Sequence, residues 1–265
     1  MVQTKDSKFS SDHWLSRPPT WTTVTSKVSE SVQIHCPEQS TTNETDIEIR
    51  YSAWTNGSPI KTSSAGGCGG ADVPLESPLN GIRFQYQVFF PEKFDFVKSG
   101  KLPGLWGGLS TNREESESCS GGIKSTGCFS YRLVWLPNGT TGMYYYASEE
   151  SMNSTCAVYS TDPDTTGCDK NWGLVLGREK LQLNRGAWND IEVGMKVTND
   201  ASSILSLTIN NDSIVYDKVQ VQLPSQNHQI QRIMFSSFFG GSTPDYWTPK
   251  NQTANFRNFR YFPTY

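Results

Sequence analysis

The sequence predicts an all-β fold, an antiparallel two-sheet β-sandwich of the jelly-roll, concanavalin-like type. Nearly every periodic segment alternates apolar and polar residues with period two. Glycine, proline, asparagine or aspartate bounds these segments, and no long amphipathic helix pattern occurs. Because a chain of 265 residues can bury a large core as one sandwich, we expect a single domain over residues 1–265, with residues 1–20 as an N-terminal arm.

The predicted strands are rich in aromatic and β-branched residues, which suit a pleated and half-buried surface. They cover residues 83–90, 129–135, 142–147, 188–197, 204–209 and 230–239. The Pro-Asn-Gly sequence at 137–139 favours a hairpin between the second and third of these strands. Short helical turns are expected near Pro91–Val97 and Arg178–Leu181, and residues 161–167 are predicted to form a loop.

The six cysteines predict disulfides, since their number is even and no Cys-x-x-Cys pair suggests zinc or a redox site. Nearest-neighbour pairing would close three long loops, although six cysteines allow other arrangements. The pairs would be Cys36–Cys68, Cys119–Cys128 and Cys156–Cys168. Asn-x-Ser/Thr sequons begin at Asn43, Asn56, Asn138, Asn153, Asn211 and Asn251. We therefore expect a secreted, extracellular glycoprotein, and we interpret the chain as the mature form with an added Met.

The charge balance and the missing motifs argue against several classes of function. Lys and Arg number 23 and Asp and Glu 26, a net charge of −3, so a general nucleic-acid partner is not expected. No apolar run is long enough to span a membrane, and no HExxH, GxSxG or P-loop motif occurs. Asp162, Asp164 and Asp169 match no EF-hand spacing and are predicted to lie in a solvated loop. We expect no metal, no cofactor, no membrane partner and a monomer.

Two neighbouring strands carry polar side chains that could share one face. Ser130 and Arg132 alternate on the first strand, and Tyr144 and Tyr146 alternate on the second. Lys101, in Ser-Gly-Lys-Leu-Pro-Gly, is expected in a rigid loop bracketed by glycines, from which its ammonium group could reach that face. These groups together would offer anion binding and proton transfer.

A pair of carboxylates forms a second candidate site. Asp46 and Glu48 are two residues apart and therefore lie on one face of a predicted strand, as a glycoside hydrolase would need. Ile47 and Ile49 would then point into the core. The interpretation we favour is that both acids simply face solvent.

Several motifs together resemble polysaccharide lyase family 14, which comprises alginate and glucuronan lyases with a β-jelly-roll fold. They are the run KSGKLPGLWGG, the Ser-x-Arg and Tyr-x-Tyr strands, FSSFFGGSTPDYWTP and NFRNFRYF, so the resemblance covers about residues 83–265. Within the family it is most similar to a secreted, fungal-type member. The resemblance implies that the site is lined by Lys101, Ser130, Arg132, Tyr144 and Tyr146.

The family resemblance implies metal-independent β-elimination on a 1,4-linked uronic-acid polysaccharide, such as glucuronan or mannuronan, with 4,5-unsaturated uronate ends as products. Arg132 would then bind the substrate carboxylate, and Tyr146 or Tyr144 would transfer protons. Lys101 would either lower the pKa of a tyrosine or act as the base itself. Further substrate contacts are expected from Ser130, Gln87 and Trp106. The alternatives are a lectin-like carbohydrate-binding module on the same fold and the hydrolase considered above.

Overall fold

The computed structural model describes residues 22–23, 39–43, 46–53, 68–109, 119–120, 126–168, 172–198, 202–220, 227–241 and 243–264. This part of the chain forms two antiparallel sheets packed face to face. Its strands are β1 (Thr22–Thr23), β2 (Gln39–Asn43), β3 (Asp46–Tyr51), β4 (Cys68–Leu79), β5 (Gly81–Phe89), β6 (Gly100–Leu109), β7 (Cys128–Trp135), β8 (Thr141–Tyr146), β9 (Leu174–Leu176), β10 (Trp188–Val197), β11 (Ser202–Ile209), β12 (Asp212–Gln220), β13 (His228–Phe239) and β14 (Gln252–Pro263).

The strands divide between an eight-stranded and a six-stranded sheet within the described residues. The eight-stranded sheet has the order β12-β11-β10-β5-β14-β3-β2, with β1 paired to β14. The six-stranded sheet has the order β4-β13-β6-β7-β8-β9. Non-sequential neighbours such as β5 beside β14 mean that the chain crosses repeatedly between the sheets, as in a jelly roll. The predicted fold class and all six predicted strands are confirmed.

The hairpin expected from Pro-Asn-Gly joins β7 to β8. A single 3-10 turn, Pro137–Gly139, connects them, and Leu133 lies opposite Met143 in the ladder. Asn138 and Gly139 have φ angles of 63° and 83°, a left-handed conformation that asparagine and glycine adopt most readily. The turn therefore fixes the register that brings the predicted site residues of the two strands opposite each other.

Two expectations about helices need correction. Residues 91–97 form no helix, because Phe94 and Phe96 instead turn into the core against Phe90 and Trp135. The described residues contain one α-helix, α1 (Glu149–Tyr159), which the sequence did not predict. The segment expected to be a short turn, 178–181, is a turn without a helix.

Helix α1 has local signals only at its start. The hydroxyl of Ser148 accepts a hydrogen bond from the backbone N–H of Ser151 at 3.2 Å, and two glutamates occupy the first turn. The rest of the helix depends on tertiary contacts, since the hydroxyl of Thr155 accepts a hydrogen bond from the backbone N–H of Gln220 at 2.9 Å. The helix is thus held against β12 by tertiary contacts. Its sequence has no apolar stripe from which a helix could have been predicted.

Two of the three predicted disulfides are present, Cys119–Cys128 and Cys156–Cys168. The third, Cys36–Cys68, falls outside the described residues at Cys36. The proposed N-terminal arm, residues 1–20, also lies outside them, so the single-domain organisation stays a prediction. No helix in the described ranges is long and apolar enough to cross a bilayer.

Candidate active site

The two faces of the six-stranded sheet have different compositions. One face is apolar and packs against the eight-stranded sheet through residues such as Tyr131, Leu133 and Tyr145. Their chain neighbours, including Arg132 and Tyr144, point the other way because side chains alternate along a strand. We call this second side, which carries Lys101, Arg132, Tyr144 and Tyr146, the outer face of the six-stranded sheet.

The strand register gathers the predicted residues into neighbouring rows. Ser130 on β7 lies opposite Tyr146 on β8, and Arg132 lies opposite Tyr144. Lys101 belongs to β6, next to β7, so the expectation of a loop at Lys101 was wrong. A register shift between Leu102 and Gly104 accommodates Pro103 within the strand.

Lys101 is almost fully buried, with 8% of its surface exposed. Its Nζ lies 4.2 Å from the centroid of the Tyr144 ring. Burial and then the positive charge of Arg132 lower the pKa of Lys101 from its ordinary value of 10.5 to about 7. Near neutral pH a substantial fraction of this amine is therefore unprotonated, as a general base requires.

The two tyrosines form a hydrogen-bonded pair. The hydroxyl oxygens of Tyr144 and Tyr146 are 3.0 Å apart, and their rings meet edge to face. Burial raises the pKa of Tyr144 above its usual range, and the neighbouring Tyr146 adds to this effect. Tyr144 therefore keeps its proton at neutral pH, as a general acid must.

Arg132 supplies a second cationic group beside the lysine. Its Cζ is 5.8 Å from the centroid of the Tyr144 ring, and it is 4% exposed. Burial lowers the pKa of Arg132, although the nearby phenols and Asp72 oppose this effect. Within the described residues its buried Nε has no hydrogen-bond partner, so a donor remains for an anion.

Ser130 and Trp106 also lie on this face, but their polar and aromatic surfaces are already engaged. The hydroxyl of Ser130 donates to the carbonyl oxygen of Cys119 at 2.6 Å. Trp106 packs with Tyr146 and the Cys119–Cys128 disulfide, and the guanidinium of Arg232 lies 4.0 Å from its ring centroid. Both residues therefore support the floor of the site, and the face of Trp106 that Arg232 covers is closed to a sugar.

Gln87 is not brought to this group. It lies on β5 of the eight-stranded sheet, and its side-chain amide donates to Asp190 at 2.7 Å. Its side-chain oxygen accepts hydrogen bonds from Arg257 at 2.8 Å and Asn258 at 2.7 Å. Because its neighbours Tyr86 and Val88 point into the core, Gln87 faces outward on the opposite sheet, and its predicted substrate contact is not part of this site.

Of the paired carboxylates, only Glu48 has a described side chain. Ile47 and Ile49 are buried in the core, as predicted. Glu48 forms an ion pair with Arg50 at 2.9 Å on the eight-stranded sheet, away from Lys101 and the tyrosines. The hydrolase alternative thus gains no support from the arrangement of Glu48.

Sequence reasoning missed three residues near the site. Arg232 and Asp72 form an ion pair at 3.3 Å on strands β13 and β4 of the same sheet. Trp172 is 50% exposed and directly precedes Gly173, where an added Cβ would lie 2.7 Å from the Tyr146 ring. The alternation of β13 could have placed Arg232 outside the core, whereas no pattern in the sequence places Gly173 beside the Tyr146 ring.

The described residues hold no group of three or more His, Cys, Asp or Glu side chains that could bind a metal ion. Asp162 accepts hydrogen bonds from Thr165 at 2.8 Å and Tyr216 at 2.9 Å. Asp164 forms an ion pair with Lys180 at 2.6 Å. Near the candidate site, the basic side chains Lys101, Arg132 and Arg232 outnumber the single described carboxylate, Asp72, which suits an anionic ligand.

Comparison with known proteins decides the family. The family model Polysaccharide lyase 14 matches residues 31–259. The chain belongs to polysaccharide lyase family 14. The resemblance seen in the sequence is thereby confirmed, whereas the secreted, fungal-type character within the family stays a prediction.

Solved structures of lyases share the fold of this family 14 chain. The marine PL-14 alginate lyase from Aplysia kurodai is 24% identical, with 85% of this chain and 86% of that one covered and a TM-score of 0.69. Alginate lyase vAL-1 from Chlorella virus is 22% identical, with 91% and 96% covered and a TM-score of 0.65. The endo-β-1,4-glucuronan lyase from the fungus Trichoderma reesei is 10% identical, with 89% and 91% covered and a TM-score of 0.53.

A curated relative extends the similarity in sequence. Exolysin of Paramecium bursaria Chlorella virus 1 is 25% identical over 174 residues, which is 60% of this chain and 26% of the relative. The family 14 chain thus spans about a quarter of the length of this curated relative.

Proposed function

We propose that the protein is a polysaccharide lyase that cleaves a 1,4-linked uronic-acid polysaccharide, glucuronan or mannuronate-rich alginate, by β-elimination. The observation that supports this most strongly is the contact between Lys101, whose pKa is lowered to about 7, and Tyr144, whose pKa is raised, beside Arg132. The names of the solved neighbours, alginate and glucuronan lyases, point to the same substrate class.

The first requirement of the reaction is stabilisation of the charge that develops at the substrate carboxylate. The proton on C5 is only weakly acidic, and its removal places a second negative charge on the carboxylate group. Arg132 can bind that carboxylate through its planar guanidinium, and its unpartnered Nε gives the group a donor to use. Because Arg132 is buried, its attraction for the carboxylate is little screened by water.

The second requirement is a base at C5 and an acid at O4. The unprotonated Nζ of Lys101 accepts the C5 proton, and the C5–H electron pair forms the C4=C5 double bond. The C4–O4 bond breaks, and O4 takes a proton from the hydroxyl of Tyr144 or Tyr146. The hydrogen bond between the two hydroxyls then allows the tyrosine to take a proton from its partner, and the partner regains a proton from solvent. The lysine releases its proton to solvent before the next turnover.

The proximity of base and acid bears on the substrate. In mannuronate and glucuronate, H5 and O4 lie on the same side of the sugar ring, so adjacent groups can serve both steps. In guluronate they lie on opposite sides and need groups on both faces of the ring. Lys101 Nζ lies against the Tyr144 ring, and we therefore propose that the enzyme prefers mannuronate or glucuronate.

The test is to incubate the protein with polyglucuronate, polymannuronate and polyguluronate. The ultraviolet absorbance of the new conjugated double bond and the number of reducing ends are followed together. We expect both to rise with one or both of the first two polymers. Binding without products would favour the lectin-like module, and reducing ends without absorbance would favour a hydrolase.

We also propose that the protein is extracellular, acts as a monomer and carries N-linked glycans. Two disulfides support an oxidising compartment. The sequon asparagines Asn138, Asn153, Asn211 and Asn251 are exposed, whereas the sequons at Asn43 and Asn56 have no described side chains. A mass decrease after endoglycosidase treatment of the protein from its native source would support glycosylation, and an unchanged mass would refute it.

A further inference from the structure

A second arginine lies on the outer face of the six-stranded sheet and has no part in the chemistry described above. Arg232 is on β13, opposite Trp106 on β6. Its guanidinium lies 4.0 Å from the Trp106 ring centroid, and its side chain is 16% exposed. The arginine is therefore held by stacking but still reaches solvent.

The ion pair of Arg232 leaves hydrogen-bonding capacity unused. Within the described residues, one hydrogen bond of its side chain is found, from Nη1 to Oδ2 of Asp72 at 3.3 Å. The other carboxylate oxygen of Asp72 is buried and has no partner among those residues. Burial raises the pKa of Asp72 even though Arg232 and Arg132 oppose the effect. The pair is thus long and incompletely satisfied, so an anion with better geometry could compete with Asp72 for the guanidinium.

The position of Arg232 relative to Arg132 suits a polymer with a carboxylate on every sugar. One strand, β6, separates β13 from β7, so the two backbones are about 10 Å apart. Met234 and Gly104 occupy the row between Asp72 and Arg132. Since Gly104 has no side chain, no side chain rises from the sheet surface at this position between Met234 and Arg132. A chain lying across the strands could therefore meet both arginines.

We propose that Arg232 binds the carboxylate of a second uronate residue in the same polysaccharide chain, while Arg132 binds the carboxylate at the cleavage site. This inference rests on the proposed function. Asp72 holds the guanidinium in place when no substrate is bound and gives way to the substrate carboxylate. Arg232 is thus a specificity-determining residue that favours polyanionic chains over short or neutral ones.

The experiment compares KM and kcat of four variants on polyglucuronate or polymannuronate, whichever the wild type cleaves. Arg232→Gln should raise KM about 10- to 100-fold with little change in kcat, because it removes a charge-assisted hydrogen bond outside the reacting sugar. The KM of Arg232→Lys should lie between the KM of Arg232→Gln and that of the wild type. The matched control is Arg257→Ala, since Arg257 stacks on Trp188 at 3.8 Å on the opposite sheet, and its KM should equal that of the wild type.

Asp72→Asn separates a binding role from a structural one. If Asp72 competes with the substrate, its neutralisation should lower KM, and KM should then depend more steeply on salt. If Arg232 only anchors β4 to β13, Asp72→Asn should raise KM and lower the Tm as Arg232→Gln does. That outcome, or an Arg232→Gln KM within about twofold of the wild type, overturns the inference. Should Arg232→Gln fail to fold, the direction of the KM change in Asp72→Asn still decides.

Failure of the inference and failure of the proposed function give different results. If the wild type forms no unsaturated ends from any uronate polymer, the proposed function is wrong. If the wild type is active and the variants of Arg232 and Asp72 leave KM unchanged, only the second carboxylate contact is wrong.

Discussion

The side-chain nitrogen of Lys101 lies 4.2 Å from the centre of the Tyr144 ring, so a lysine that gives up its proton easily meets a tyrosine that keeps its own. Burial causes both shifts, because it disfavours the charged form of each group, the ammonium of lysine and the phenolate of tyrosine. The same apolar environment thus favours an unprotonated lysine, which can act as a base, and a protonated tyrosine, which can act as an acid. Of the two roles for Lys101 that the sequence leaves open, this division supports the one we propose, Lys101 as the base.

The activity should depend on pH through Lys101. Because the unprotonated amine is the active form, kcat/KM should rise with pH through a limb centred near pH 7 and level off above it. The measurement is the initial rate of unsaturated-end formation at low substrate concentration across this range. A rate that falls as pH rises through 7 would be incompatible with a lysine base.

Removal of either tyrosine hydroxyl should slow the chemical step. Tyr144→Phe and Tyr146→Phe should each lower kcat by about 100-fold or more, because they remove the acid or its proton relay. The control is Tyr145→Phe on the same strand, whose hydroxyl donates to the backbone oxygen of Gln220 on the core side. It should lose about 1 kcal/mol of stability and keep its kcat. Equal kcat values in all three variants would exclude the tyrosine pair from catalysis.

Replacement of the buried lysine should stabilise the fold. The folded-state pKa of Lys101 is about 7 against 10.5 for an exposed lysine, so the unfolded chain binds this proton more tightly. The resulting penalty is fully present below pH 7 and disappears as pH rises towards 10.5. Lys101→Met should therefore raise the Tm, and by more at about pH 6 than at about pH 10. A Tm that falls at both pH values would show that burial of the Lys101 amine does not destabilise the folded protein.

The two disulfides should have different effects on activity. Cys119–Cys128 packs against Trp106 and Tyr146, and the carbonyl oxygen of Cys119 accepts the hydrogen bond of Ser130. Its replacement by two serines should lower the Tm. It should also lower kcat/KM about tenfold or more, because Tyr146 loses the disulfide that packs against it. The double serine variant of Cys156–Cys168 should cost about 2 to 4 kcal/mol of stability and leave kcat/KM within about twofold. Equal losses of kcat/KM in both variants would contradict a special role for the first disulfide.

The sequence predicted the strands and most of the site because alternation with period two records which side chains face the core. Ser130, Arg132, Tyr144 and Tyr146 needed only that rule and one hairpin to be placed together. Lys101 was assigned to a loop because glycine and proline dominate its segment. In the structure a register shift near Pro103 lets those residues stay in strand β6.

Other features depend on contacts that no local pattern records. Alternation along the strand correctly predicts that Gln87 points away from the core, but it does not predict which sheet the strand joins. That strand lies in the eight-stranded sheet. Helix α1 has an N-cap and acidic residues in its first turn but no apolar stripe, so its packing against β12 could not be predicted from the sequence. The pairing of Arg232 with Asp72 needed the neighbouring order of β4 and β13, which only the folded chain provides.

The central claim, elimination with Lys101 as the base, is tested most directly by the rate at which unsaturated ends form with Lys101→Met. The matched control is Lys180→Met, which changes an exposed lysine paired with Asp164. We predict that the kcat of the control equals that of the wild type, whereas Lys101→Met stays folded, with its higher Tm, and loses about 100- to 10,000-fold in kcat. A folded Lys101→Met protein that forms unsaturated ends at more than about a tenth of the wild-type rate would contradict it.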